Sequence, residues 1–421
     1  MVLESVRGAP RAFQVLLVSA FIENVAFGLI VPYLAIYMVR DLNISEALAG
    51  VAMAGYTLSG IPGTIVGGIL TDKIGRRVVL LASLGLMSIT MLLYFFTVDF
   101  TTLFIVILAD AFVGSLYMPA ANAMIADVVP TPERPKAYST LRIAWNVGMF
   151  LGPAIGVFLV ATFSIRELFI FGALILVGAF GLNLTWVPET RPREAEQQEV
   201  TLGKFMRVGK NTTFLMLTSM TAIMWFSFSQ WMGVLQLYST NNLNLSLYVP
   251  GMFFAINALM IVTLQLWVTS KVIRFRRSAI LMSGQLIGAL GFSLIFFADD
   301  LLFLVACIMI ITVGELVYMS VVSAIIADLS PDAERGIYMG FAGFIQSIGM
   351  GIGFFGGMWL LDVLADARYI WLVFGAVGAI GSIGYIFLGR MLGPERNHPL
   401  VQPEIPPTVP EIMPIGPPLE K

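Results

Sequence analysis

Twelve long apolar stretches, separated by a few charged, proline or glycine residues, leave this chain little choice of fold. A run of about 20 apolar residues crosses the hydrocarbon of a bilayer. We read spans near 12–38, 46–70, 78–98, 102–127, 136–161 and 167–187, then near 212–239, 247–269, 278–298, 301–327, 337–362 and 368–390. Composition agrees: AVILMFWYC residues make up 58% of the 421 and DEKR only 12%, about half the charged share of a soluble domain. Backbone groups in lipid must be satisfied internally, and no alternating ten-residue pattern suggests a barrel. The expected fold class is all-α integral membrane, with twelve transmembrane helices in two six-helix pseudo-symmetric bundles.

The same composition excludes several functions. Cys307 is the only cysteine, so no disulfide framework exists. His398 is the only histidine and lies in the tail, leaving no histidine for catalysis, metal binding or a proton relay within the spans. A net charge of −2 gives no basic field for nucleic acid. We find no nucleophile–base pair, and expect no enzyme, no metal and no cofactor. A non-transporting receptor is the remote alternative.

Charge sets the orientation. With the N-terminus inside, 20 of the 24 Lys and Arg residues fall in inner loops and termini, and only Arg40, Arg166 and Arg368 fall in outer turns. Arg142 lies inside a span. This bias predicts cytoplasmic termini in a multi-pass protein of the plasma membrane. The expected organisation is a bundle over 1–187, a cytoplasmic linker over 188–210, a bundle over 211–391 and a disordered cytoplasmic tail over 392–421. From Pro394 onward there are nine prolines in 28 residues. No cleavage site follows a short apolar region near the start, so the first span should be retained.

A repeat supports the two halves. A shift of 201 carries Asp127-Val-Val-Pro130-Thr-Pro-Glu133-Arg134 onto Asp328-Leu-Ser-Pro331-Asp-Ala-Glu334-Arg335. It also carries Gly148, Gly152 and Gly156 onto Gly349, Gly353 and Gly357, and Lys73 and Arg76 onto Arg274 and Arg277. Parallel repeats suit a transporter that rocks around a central site.

The loop after the second span reads Gly67-Gly68-Ile-Leu-Thr-Asp72-Lys73-Ile-Gly75-Arg76-Arg77, and the fifth span reads Gly148-x-x-x-Gly152-Pro153-x-x-Gly156. With Gly28-Leu-Ile-Val-Pro32 in the first span, these resemble the major facilitator superfamily, and within it the twelve-span drug:proton antiporters. The resemblance implies that Asp72 meets the N-terminus of helix 11, that Arg76 pairs with Asp127 to close the inner side, and that both contacts break when the halves rock. It implies that Gly68 and Gly75 permit close approach and a tight turn beside Arg77. It places helix 8 against the Gly148–Gly152–Gly156 stripe. Ile273 stands where Asp72 would repeat, so the latch should be asymmetric. One departure is plain: Asp110 stands four residues before Gly114, where the family usually has arginine. Arg142 in the next helix is a candidate substitute, or a static ion-pair partner for Asp110.

Glu23, Asp110 and Glu315 carry most of the functional information. The translocon scale charges about 2.5–3.5 kcal/mol for an acid at a helix centre, so each should face a cavity or a partner. In the family, helices 1, 4, 7 and 10 line the cavity, and the three acids fall on three of those. Asn24, Asn122, Asn146, Gln230, Asn257 and Gln346 are polar cavity candidates, and Trp225, Phe226, Trp231 and Tyr238 could form an aromatic wall. The expected function is proton-coupled export of amphiphilic or cationic small molecules by a monomer in the lipid bilayer. The same-fold alternative transports sugars, peptides or other metabolites.

Overall fold

The structure is a computed structural model and describes residues 10–130, 133–191, 207–331 and 334–398. The expected tail starts too early, because residues 392–397 continue the last helix; its remainder from 399, and most of the linker, lie outside the described residues. Twelve helices are long and apolar enough to cross a membrane. They are α1 (Arg11–Asp41), α2 (Glu46–Ile74), α3 (Arg76–Phe96), α4 (Phe100–Val128), α5 (Arg134–Leu159), α6 (Ile165–Trp186), α7 (Thr212–Asn242), α8 (Tyr248–Val272), α9 (Arg277–Phe297), α10 (Leu301–Leu329), α11 (Arg335–Val363) and α12 (Tyr369–Asn397). No strand occurs among the described residues.

Short polar turns start the helices with side-chain caps, which satisfy backbone N–H groups that have no helical partner. Ser45, Asp99, Ser164, Asn211 and Asp300 cap α2, α4, α6, α7 and α10, and Asp99 and Ser164 form full capping boxes.

The 201-residue repeat is visible in the backbone. Tyr37–Asp41 and Tyr238–Asn242 both widen into π-helical turns at the ends of α1 and α7. Asn43 and Asn244 follow, each at φ 53°. The cap Asp99 repeats as Asp300. Packing repeats too: the α5 stripe lies on α1, and the α11 stripe lies on α7.

Two ends of the molecule can be distinguished. Arg11 stacks 3.8 Å over Trp186, and Asn397 accepts from the Ser278 N–H at 2.9 Å. The described chain ends and the start of the linker therefore share one end, the linker end. At the opposite end, Arg40 donates to Thr240 O and Asn241 Oδ1, both at 2.8 Å, tying α1 to α7.

The halves meet at the Arg40 end and part at the linker end. On α2, Gly50 lies against Phe354, Phe355 and Met358 of α11, and Thr57 lies against Gly351. Gly68 is eleven residues past Thr57, and Gly340 eleven before Gly351. Eleven residues are three helical turns, so both glycines continue the same facing stripes. A Cβ built on either would meet nothing within 4 Å. The same contrast holds on α5. Pro153 and Val157 pack on Gly251 of α8, whereas Arg142 and Asn146, on the same stripe toward the linker end, are exposed. A cleft between the halves opens at the linker end.

Candidate functional site

Each of the three membrane-embedded acids is held by neutral donors. On α1, Glu23 Oε2 accepts from Asn24 Nδ2 at 2.6 Å, and the Trp145 indole of α5 is a further hydrogen-bonding neighbour. Asn24 is buried and also donates to Ala20 O at 3.0 Å. On α4, Asp110 is 8% exposed, and its oxygens accept from Thr90 Oγ1 at 2.6 Å and Tyr94 OH at 3.3 Å. On α10, Glu315 Oε2 accepts from Asn257 Nδ2 of α8 at 2.8 Å, and that amide also reaches Thr312 Oγ1 at 3.1 Å. Glu23 and Asp110 lie within Coulombic range of each other and of the Tyr56 hydroxyl.

Hydrogen bonds of this kind stabilise a carboxylate without cancelling its charge. Among the described residues no salt bridge reaches Glu23, Asp110 or Glu315. The candidate pair of Asp110 with Arg142 is not formed: Arg142 is exposed on α5, and α3 supplies both of Asp110's donors. Thr90 and Tyr94 are the partners the sequence reading missed. Their signal was an i, i+4 polar pair among other polar residues of α3, which one sequence does not connect to Asp110.

Glu315 does not pair across the cleft with Glu23. It turns toward α8 and lines a crevice with room for about one water (≈ 20 Å³), between α7, α9, α10 and α12. Gln285, Ser227 and Met224 line the same crevice.

The other cavity candidates divide. Asn146 and Asn122 are exposed, and Gln346 and Trp225 are half-buried. Trp225 packs edge-on to Phe228 at 5.3 Å. Gln230 is not a cavity residue. It is fully buried and donates to Phe226 O, Ser229 Oγ and Gly353 O, fastening α7 to α11. Nor is there an aromatic wall along α7. Trp231 packs on Phe254, Tyr238 on Trp371 and Phe226 on Phe374.

The α2–α3 loop is built as a network at the linker end. Gly75 sits at φ 108°, a backbone region that favours glycine. Arg76 is 6% exposed and donates to Asp127 Oδ2 at 2.8 Å and to Thr71 O at 3.0 Å. Asp72 is half-exposed and lies 3.4 Å from Arg76 Nη1. Glu189, at the start of the linker, accepts from the Arg76 and Arg77 N–H groups at 2.9 and 3.1 Å, capping α3. A Cβ on Gly75 would collide with that carboxylate. Thr190 donates to the same Asp127 oxygen at 3.0 Å, and Arg191 to Lys73 O at 2.7 Å. Burial works to raise the pKa of Glu189, but four backbone N–H donors outweigh it and hold the carboxyl below its usual range. In the other half, Arg277 pairs with Asp328, and Asn397 takes the place of Glu189 at the start of α9.

Two expectations are corrected here. Arg76–Asp127 joins the start of α3 to the end of α4 within one half, and it is intact while the linker end is open. It is not a latch that breaks when that end opens. The α5 glycine stripe does not face α8. Gly148, Gly152 and Gly156 pack on Phe21, Val25, Leu29 and Tyr33 of α1, while α8 meets the neighbouring face through Gly251.

Two six-helix bundles with a cleft between them, and three acids inside the spans, are the architecture of a membrane transporter. The sequence model of the Major Facilitator Superfamily matches residues 16–274 and 234–413. The chain belongs to that superfamily and is a multi-pass membrane transporter of small molecules. It is 27% identical over 355 residues to the uncharacterized MFS-type transporter YttB of Bacillus subtilis, covering 83% of this chain and 88% of that one. It is 24% identical over 232 residues to the quinolone resistance protein NorA of Staphylococcus aureus, covering 55% and 59%. Among solved structures, a POT family transporter in complex with 5-aminolevulinic acid superposes with a TM-score of 0.79 at 15% identity, covering 92% and 97%. The nucleoside transporter NupG gives 0.76 at 14%, covering 90% and 99%. At these identities the structures speak for the fold alone.

Proposed function

We propose that this chain is a proton-coupled exporter of amphiphilic or cationic small molecules, working by alternating access. The observation that carries the reading is the set of three membrane-embedded carboxylates held by neutral donors. A carboxylate with no cation beside it can be neutralised by a proton or by a bound organic cation. Competition for one charge couples the two ligands by linkage. Glu23 and Asp110, within reach of each other and beside Tyr56 and Trp145, form the principal coupling pair, and Glu315 serves the other half. Aromatic faces near a carboxylate favour lipophilic cations. The likeness to NorA, a quinolone resistance protein, is consistent with drug export.

The cation bias of the loops supports a cytoplasmic linker end in the plasma membrane, and a single chain contains both halves of the cleft, consistent with a monomer. The structure then corresponds to an inward-open state. The deciding experiment is substrate-induced proton release from the purified protein across a panel of amphiphilic cations, with sugars and dipeptides as controls. Release by cations alone supports the reading. Proton-independent binding of sugars or peptides would sink it.

A further inference from the structure

The contact that seals the Arg40 end has two acids facing each other across it. Gly50 of α2 packs against Met358 of α11. Glu46 is one turn before Gly50, and Asp362 is one turn after Met358. The helices run antiparallel, so the same stripe that joins Gly50 to Met358 brings Glu46 opposite Asp362. The two carboxylates lie within Coulombic range; Asp362 is exposed to solvent and Glu46 is half-buried.

The cations that could relieve this pair are engaged elsewhere. Arg40 is held by Thr240 O and Asn241. Arg166 donates to Thr97 O at 2.7 Å and lies, with Arg40, within range of Asp41. Arg368 forms a two-pronged pair with Asp366. The remaining acids at this end have their own roles or lie in other turns: Asp99 and Asp300 cap helices, Glu167 closes a capping box, and Asp299 sits in the α9–α10 turn. Three cations against eight acids leave the end strongly negative. Asp362 also lies in the last turn of α11, where the helix dipole disfavours an acid.

We infer that Glu46 and Asp362 form an electrostatic spring across the outer seam of α2 and α11, which proton uptake at that end relaxes. When both are ionised, their repulsion favours parting of α2 from α11 at the Arg40 end. Protonation of either one, at acidic pH on that side, favours the sealed state seen here. The inference rests on the alternating-access reading but not on the identity of the cargo. It assigns the two acids a task separate from that of Glu23, Asp110 and Glu315: they bias the conformational equilibrium without binding substrate.

The test measures both ends of the full-length protein in nanodiscs. Spin labels at Leu48 and Val363 report the outer seam, and labels at Lys73 and Met339 report the linker end, in a Cys307→Ser background. Like charges a few Å apart in water shift an equilibrium about threefold. Glu46→Gln, Asp362→Asn and the double variant should each raise the sealed-to-open ratio at the outer end about threefold at neutral pH. Acidification should raise that ratio in the parent, and by a smaller factor in the double variant. Unchanged ratios in all three variants, or an undiminished pH response in the double variant, would overturn the spring. If the two distances fail to change in opposite senses under any condition, alternating access itself fails, which is a separate outcome. Glu46→Lys is the converse probe: opposite charges should hold the outer seam closed more firmly than either neutral variant.

Discussion

A glutamate at the middle of a helix in lipid is conspicuous, and its replacement by glutamine removes one charge while keeping its size and a hydrogen bond. Glu23→Gln keeps an acceptor for Asn24, and Glu315→Gln keeps one for Asn257. At least one of these variants should abolish pH-gradient-driven transport of cations while membrane insertion and thermal stability stay near those of the parent. Proteoliposome flux with an imposed proton gradient measures it. If both variants still pump uphill with unchanged pH dependence, Asp110→Asn becomes the deciding variant. Glu189 gives a residue-scale prediction outside the membrane. Its folded-state pKa is depressed, so its contribution to stability is fully present above the unfolded value of about 4.3 and is lost as pH falls through the folded value. Glu189→Gln should therefore lower the melting temperature at pH 7, and the gap from the parent should close below about pH 4. The three acids were legible in the sequence because a charge in an apolar span stands out. Their partners were legible only in part: Asn24 and Asn257 stood out as polar candidates without being tied to Glu23 or Glu315. Thr90 and Tyr94 are ordinary residues until helix rotation aims them, and Arg142 misled because adjacency in sequence does not fix which way a helix turns.

At the scale of the helix, small residues decide which partners come close. Gly148, Gly152 and Gly156 let α5 approach α1, and Gly349, Gly353 and Gly357 let α11 approach α7. A Cβ on Gly152 would press on the Leu29 N–H and the Gly28 backbone, and one on Gly353 would press on Phe226 and Ser229. Around Gly152 the surroundings are backbone and cannot yield by changing a rotamer; at Gly353 the Ser229 hydroxyl could turn away, but the Phe226 backbone could not. Gly152→Leu and Gly353→Leu should each cost at least the ~1–3 kcal/mol of an overpacked core, seen as a lower melting temperature and a poor yield of monodisperse protein. The stripe itself was readable, since i, i+4, i+8 spacing needs no structure. Its partner was not, because a smooth face says only that something comes close. The repeat was the strongest sequence signal for the fold. It reappears in the paired π-helical turns and in Asn43 and Asn244, features of local backbone that residue types alone do not announce.

For the whole molecule, the α2–α11 seam is one stripe with two ends, of which this state uses one. Gly50 and Thr57 meet α11, while Gly68 and Gly340 have nothing within 4 Å. Rocking the halves about the middle of the seam would part Gly50 from Met358 and bring the Gly68 stripe against the Gly340 stripe, closing the linker end. Packed interfaces favour discrete arrangements over continuous deformation, which makes such a seam bistable. A side chain at Gly68 or Gly340 should therefore have opposite consequences in the two states. In the linker-open state it occupies open space and should cost little beyond the small change in helix propensity. In the linker-closed state it would sit between two helices whose approach depends on the missing Cβ. Gly68→Leu and Gly340→Leu should consequently leave the melting temperature within a few degrees of the parent, in contrast to Gly152→Leu. Both should nevertheless abolish transport, because a protein held open on one side cannot complete a cycle. The label pair at Lys73 and Met339 should lose its short-distance population, while substrate still binds from the linker side. A Gly68→Leu protein that transports at the parental rate and still samples the short distance would show that closure does not run through this stripe.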